Sequence, residues 1–221
     1  MRKMTCGLAG ISILLFMCTR PCSVFAARDT QYWKTESFSW GFAEDWKLTL
    51  ENEMYFQDDC SDFYYQHTDL GVVYSGLAKW LDLGLNYRHV LSESKSNWNR
   101  EERPHMNATV KWKWLDSAFS NRSRFEYRIK EDADDFWRYR NNTTVRLPWK
   151  WTRRQIQPFL SDEFFVDFDK KELNENRLSG GVSLRISEHV SAEVYYTWRR
   201  LKSSDVWVTH NIIGTRLKLA F

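Results

Sequence analysis

Residues 122–130 read RSRFEYRIK, and every second side chain in this segment is charged. The charged positions are Arg122, Arg124, Glu126, Arg128 and Lys130, and the positions between them are Ser123, Phe125, Tyr127 and Ile129. Successive side chains of a β-strand point to opposite faces, so this spacing predicts a strand with one charged face and one nearly apolar face.

The same alternation recurs along the chain, most clearly at 81–88, 106–114 and 177–186. No long window after the first 26 residues shows helical spacing, whereas strand spacing continues to the last residue. The pattern predicts eleven strands, at 31–42, 46–57, 63–76, 80–91, 103–115, 119–130, 136–148, 157–168, 175–186, 189–201 and 206–221. The fold class is therefore expected to be all-β.

Composition narrows the class of protein further. The 221 residues are 28% charged and 16% aromatic, which is unlike a disordered chain, a collagen or a coiled coil. A mean hydropathy of −0.60 excludes a protein made of several membrane-spanning helices. A transmembrane barrel remains compatible with that value, because its polar and lipid-facing side chains alternate and their hydropathies average out.

The positions of the Trp residues distinguish between two kinds of β-fold. A soluble β-sandwich or a lipocalin-type barrel would show the same alternation, with its apolar face inside. However, most Trp residues lie near the ends of predicted strands, where membrane interfaces collect aromatic side chains. These residues are Trp46, Trp80, Trp98, Trp112, Trp114, Trp137, Trp149, Trp151, Trp198 and Trp207.

We therefore predict an antiparallel up-and-down transmembrane β-barrel of 10 to 12 strands. Bacterial barrels have an even number of strands, with short turns at one end and longer loops, here exemplified by 92–102, at the other. The first predicted strand is the least regular, since Lys34 and Glu36 share a face with Phe38. It is expected to bend, to lie across one end of the barrel, or to be split.

The first 26 residues have the three parts of a secretory signal peptide. Arg2 and Lys3 precede an apolar run that ends at Met17, and residues 24–26 form a small-residue cleavage site. The apolar run is shorter than the roughly 20 residues needed to span a bilayer, so a retained anchor is the second interpretation. We expect export, removal of residues 1–26, and one barrel domain at 27–221. Only Cys60 then remains, which excludes an internal disulfide.

Several segments, in this order, resemble one known family. They are Gln31-Tyr32-Trp33 and the residues at 121–128, 136–140, 158–165 and 174–177. Together they resemble the domain of unknown function 2490 family of bacterial outer-membrane β-barrel proteins. That family has no established catalytic residues, so the resemblance implies a fold and a location in the outer membrane of a Gram-negative bacterium.

The final predicted strand carries a second resemblance. Leu217, Leu219 and Phe221 share one face, and the sequence stops on the aromatic residue. A final strand of this kind resembles the signal read by the outer-membrane barrel assembly machinery, which is therefore an expected partner. The other expected partner is outer-membrane lipid.

The charged strand faces are expected to line the lumen. One set of these residues, here called the arginine cluster, comprises Arg122, Arg124, Glu126, Arg128, Arg138, Arg140, Glu163 and Arg177. The first interpretation is a structural barrel filled by cross-strand ion pairs. The alternative is a small anion-favouring pore, or a barrel that binds a small anionic solute such as a phosphate, a carboxylate or an acidic sugar.

An enzyme, either a hydrolase or an acyltransferase, is the least favoured interpretation. His67, His105 and His210 fall on the predicted lumen face, but no spacing pairs a nucleophile with a base. No glycine-rich phosphate loop and no metal-binding spacing of His or Cys is present, so no cofactor is expected. Basic residues are spread along the strands, which argues against a nucleic-acid partner.

Overall fold

The computed structural model describes residues 30–94, 97–131, 133–203 and 206–221, and the predicted signal peptide lies outside them. The described residues form eleven strands. They are β1 (Thr30–Ala43), β2 (Trp46–Gln57), β3 (Asp62–Ala78), β4 (Leu81–Ser94), β5 (Asn97–Trp114), β6 (Ser117–Lys130), β7 (Phe136–Arg146), β8 (Gln157–Asp167), β9 (Glu172–Arg185), β10 (Val190–Ser203) and β11 (Val206–Ala220). In these residues, no helix has the length and apolar character required to cross a membrane.

The strands close into a single barrel in sequence order. Each strand pairs antiparallel with the next one along the chain. The barrel closes through a parallel pair between β1 and β11, which runs from Thr30 opposite Asn211 to Ser39 opposite Ala220. The predicted all-β barrel of ten to twelve strands is confirmed.

The expectation of an even strand number is wrong for the part of the chain described, which has eleven strands. The parallel closure explains how an odd number is accommodated. When strand direction alternates, the first and last of an odd set run the same way, so they can meet only as a parallel pair. A purely antiparallel barrel is therefore corrected to a mixed one.

The first strand is neither split nor laid across one end of the barrel. It is one continuous strand of 14 residues that pairs with β2 on one edge and with β11 on the other. Lys34 and Glu36 project outward and form an ion pair of 2.9 Å. A register shift between Gly41 and Ala43 absorbs the irregularity at the end of the strand.

The two ends of the barrel differ less in connector length than predicted. Two-residue turns at 44–45, 79–80 and 115–116 lie at one end, here called the turn end. The longest described connector, 147–156, lies at this same end, so the predicted separation of short turns from long loops is wrong. The segment 92–102 is mostly strand rather than loop, since residues 92–94 belong to β4 and residues 97–102 to β5. Its Glu101 forms ion pairs with Arg103 on the same strand and with Arg128 on β6.

The outward and inward faces of the barrel wall have opposite character. Apolar side chains project outward around the wall and are 48–65% exposed: Leu70, Leu85, Met106, Leu160, Leu178 and Ile213. Near the strand ends, exposed Trp residues include Trp46, Trp80, Trp112, Trp114, Trp98, Trp137 and Trp207. Polar pairs interrupt this face on β6–β9, where Asn121 donates to Asn141 and Asn176 donates to Asp162, each at 2.8 Å.

Candidate functional site in the barrel interior

The barrel interior has two parts. Away from the turn end, a closed half is defined by residues that are 7% exposed or less: Trp33, Tyr55, Glu101, Arg103, Glu126, Arg138 and Phe165. Towards the turn end, the wall encloses a cavity of about 380 Å³. Ser120 and Lys218, close to the turn-end limits of β6 and β11, and Ser37, which pairs with Lys218, line the cavity.

Stacked aromatic rings lie side by side on the adjacent strands β1, β2 and β3 in the closed half. The Trp33 and Tyr55 ring centroids are 4.0 Å apart, and those of Tyr55 and Tyr65 are 4.5 Å apart. We call Trp33, Tyr55 and Tyr65 the aromatic column. At one end Arg177 stacks 4.7 Å from the Trp33 ring, and at the other Arg103 donates to the Tyr65 hydroxyl at 3.4 Å. The column and its two flanking arginines thus link side chains of β9, β1, β2, β3 and β5 inside the barrel.

A second aromatic ring holds several guanidinium groups together. Phe165, on β8, is almost fully buried. The guanidinium carbons of Arg138, Arg140 and Arg177 lie 5.3, 4.5 and 4.6 Å from its ring centroid. Attraction between a cation and an aromatic face strengthens when water is excluded, so Phe165 helps to hold three like charges near one another.

Two carboxylates share the arginines of β7. Glu126 is fully buried, accepts a hydrogen bond from Arg138, and lies 3.7 Å from Arg140. Arg140 also donates to Glu163 at 3.0 Å. Arg122 and Arg177 approach Glu163 at 3.3 and 3.8 Å. Arg140 is therefore the bridge between the two carboxylates.

Other members of the arginine cluster have partners that sequence reasoning missed. Arg128 donates to Glu101, which also binds Arg103 at 2.7 Å. Sequence analysis assigned Glu101 to a loop, and the only signal for an interior position was its alternation with Arg103. Arg177 pairs with Glu175 at 2.7 Å, and Arg199 joins the same carboxylate at 2.6 Å.

The aromatic residues of the interior were also missed. Trp33, Tyr55 and Phe165 occupy inward positions that the alternation rule assigns to charged side chains. Their positions in the strands could have indicated this. Trp33 is two residues from Thr35 and Tyr55 is two residues from Glu53, so each pair shares one strand face. Thr35 donates a hydrogen bond to Glu53 at 2.9 Å inside the barrel.

The histidines predicted to face the lumen take part in polar contacts. His105 lies 2.8 Å from Asp69, which also accepts a hydrogen bond from Arg88 at 2.7 Å. His67 is buried with its ring nitrogens 3.5 Å from the carboxylates of Glu51 and Glu53. Among the described residues, no group of three or more His, Cys, Asp or Glu side chains is placed to hold a metal ion.

The cavity is strongly cationic. Its basic lining residues are Arg88, Arg122, Arg124, Arg140, Arg146, Arg177, Arg216 and Lys218, and its acidic ones are Glu51, Glu53, Glu163 and Glu193. Glu193 pairs with three cations, Lys218 at 2.6 Å and Arg146 and Arg216 each at 3.0 Å. The described cavity lining therefore holds twice as many basic as acidic side chains.

The final strand places its three apolar residues outside the barrel interior. Leu217 and Phe221 are exposed, and Leu219 lies on the same outward phase. The Phe221 ring packs 5.8 Å from Phe38 and 4.9 Å from His189. These contacts describe packing at the turn end, and recognition by an assembly machinery stays a prediction.

The fold and interior together define a closed β-barrel with an apolar outer wall and a charged, partly filled interior. The chain belongs to the family described as protein of unknown function (DUF2490), whose profile it matches over residues 30–210. Searches of curated proteins and of solved structures found no match.

Proposed function

We propose that the protein is an outer-membrane β-barrel whose interior is closed to ion flow. The observation that carries this proposal is the arrangement of the wall, with exposed apolar side chains outside and buried charges inside. A soluble barrel stabilises itself by the reverse arrangement, because burying apolar surface is the main favourable contribution to folding in water. Lipid is the solvent that suits this outer wall.

The aromatic side chains agree with a membrane position. Exposed Trp residues lie towards both strand ends, as in the aromatic girdles of membrane barrels. The apolar side chains between them, such as Leu85 and Met106, lie well inside their strands. The predicted signal peptide would supply the export that such a location requires.

The closed half supports a barrier to ions. The aromatic column follows the adjacent strands β1, β2 and β3, and the Glu126 ion pairs join β6 to β7. Trp33, Tyr55, Glu126 and Arg138 are buried, and Tyr65 is partly buried. A hydrated ion would have to break these pairs and leave buried charges without partners, which typically costs about 3–5 kcal/mol for each pair. This favours the structural barrel over the small pore.

An anion-favouring pore is the second candidate, because the cavity lining is cationic. Current through the refolded protein in a planar lipid bilayer distinguishes the two. The closed barrel predicts no steady current above that of a protein-free bilayer. Steady chloride-selective channels, in a sample that shows the gel shift of a folded barrel between unheated and boiled states, would instead establish the pore.

Location is tested separately from conduction. An outer-membrane barrel should be recovered in the outer-membrane fraction of a Gram-negative host and should migrate differently before and after boiling. Recovery as a soluble periplasmic protein with no such difference would contradict the membrane proposal. Deleting Phe221 should reduce the amount of folded protein if the final strand is read during assembly.

A further inference from the structure

Arg124 differs from the other interior arginines that line the cavity. It lies on β6, is only 5% exposed, and forms part of the cavity wall. Among the described residues, no carboxylate forms an ion pair with it, and its Nη1 group has no hydrogen-bond partner. A buried cation with an unmet donor is costly in a closed protein, which makes this group a candidate for binding an anion.

Side-chain amides hold Arg124 in place. Its Nε donates to Asn107 at 2.7 Å, Asn107 donates to Asn86 at 2.8 Å, and Asn86 donates to Asp69 at 2.8 Å. Gly71 leaves the room for this relay, because a Cβ at that position would lie 2.0 Å from the Asn86 amide nitrogen. The relay orients the guanidinium group without neutralising it, since amides carry no net charge.

The side chains around Arg124 include further positively charged guanidinium groups. Arg122, on the same strand, has a side chain 37% exposed and shares Glu163 with Arg140 and Arg177. The Nε groups of Arg140 and Arg216 also have no hydrogen-bond partner in the described part of the chain. Guanidinium groups bind phosphate and carboxylate through paired, charge-assisted hydrogen bonds.

The size of the cavity selects among anions. A volume of about 380 Å³ falls within the range of ligand pockets and is far larger than a lone inorganic ion requires. Hydroxyl groups of Thr109, Ser120 and Ser179 and the aromatic rings of Phe159 and Tyr195 complete the lining. This mixture suits a ligand with a hydroxylated organic body as well as a charged group.

We propose that the cavity is a binding site for a small organic dianion of the sugar-phosphate type, with Arg124 and Arg122 binding its charged group. This inference goes beyond the proposed function, because binding in the cavity requires neither a membrane nor a closed pore. It concerns the half of the interior that the ion-pair network leaves unfilled.

Calorimetric titration of the refolded full-length protein tests the proposal, with glucose 6-phosphate as the probe and glucose as the neutral control. We expect saturable binding of glucose 6-phosphate and none of glucose. Each of Arg124→Gln and Arg122→Gln should weaken binding about tenfold or more, since hydrogen bonds to charged groups contribute about 1.5–3 kcal/mol. Lys170→Gln, an exposed control in the connector after β8, should leave the affinity unchanged.

A variant that should bind more tightly keeps the test valid even if the arginine variants fold poorly. Glu51 lines the cavity with a side chain 36% exposed, and Glu51→Gln removes one negative charge from the lining. We expect this variant to bind glucose 6-phosphate more tightly than the parent protein. Absence of saturable binding by the folded parent, equal binding of glucose, or unchanged affinity in both arginine variants would overturn the proposal.

Discussion

The closed half and the cavity lie on the same strands and follow the same alternation of inward and outward side chains. They differ in how their charged side chains are stabilised. In the closed half, Glu101, Glu126 and Glu175 each contact two guanidinium groups, and aromatic rings fill the remaining space. In the cavity, Glu193 must serve three cations, and the side chains of Arg146 and Lys218 remain about one-third exposed. Water stabilises the charges in the cavity, whereas ion pairs and aromatic stacking stabilise those in the closed half.

The largest expected effect comes from breaking the closed half. Glu126→Gln removes a fully buried carboxylate and leaves Arg138 without its ion pair. Loss of one partner of a buried pair typically costs about 3–5 kcal/mol. Equilibrium unfolding by guanidinium chloride in lipid vesicles measures the change.

The matched control for this variant is Glu51→Gln in the cavity, where the carboxylate is 36% exposed. We expect a smaller loss than for Glu126→Gln, because the Glu51 carboxylate reaches the cavity and Arg88 keeps its ion pair with Asp69. Equal losses in the two variants would mean that the halves do not differ in burial as described.

The next effect concerns the wall that both halves share. Leu85 projects outward from β4 and is 65% exposed, so Leu85→Arg places a charge in the lipid at a cost of about 2–4 kcal/mol. Leu115→Arg is the control, because Leu115 lies in a two-residue turn and is 75% exposed. Equal stability of the two variants in vesicle unfolding would argue for a wall in water.

A smaller effect is expected where the two halves meet. Glu163→Gln weakens hydrogen bonds to Arg140 and Arg122, but Arg140 keeps its contact with Glu126 and Arg122 reaches solvent. We expect a loss of about 1.5–3 kcal/mol, less than for Glu126→Gln. The reverse order of the two losses in the same unfolding assay would place the centre of the network at Glu163 instead.

The alternation of charged and apolar side chains determines which parts of this architecture can be predicted from the sequence. The inward positions of Arg122, Arg124 and Glu126 follow from a period of two residues, which is a local property. The eleven strands were located for the same reason. The parallel closure was not predicted, because it joins residues 181 positions apart, Thr30 and Asn211, and depends on where the wall meets itself.

The ion-pair partners inside the barrel were harder to predict than which side chains point inward. Which carboxylate reaches Arg128 depends on the register of β5 against β6, and sequence analysis placed Glu101 in a loop. The absence of a carboxylate partner for Arg124 among the described residues depends on a relay through Asn86 and Asn107 from two other strands. Such contacts arise from tertiary geometry, which the period of a single strand does not contain.

The most direct test of the account is the labelling of single cysteines by a water-soluble maleimide, in residues 27–221 carrying Cys60→Ser and reconstituted into lipid nanodiscs. We predict fast labelling of Ser120→Cys, which lines the cavity, and protection of Thr35→Cys, which is 1% exposed in the interior. Leu85→Cys should also be protected, by lipid, although its side chain is exposed on the protein surface. Labelling of Leu85→Cys as fast as that of Ser120→Cys would contradict the membrane-facing wall, and fast labelling of Thr35→Cys would contradict the closed half.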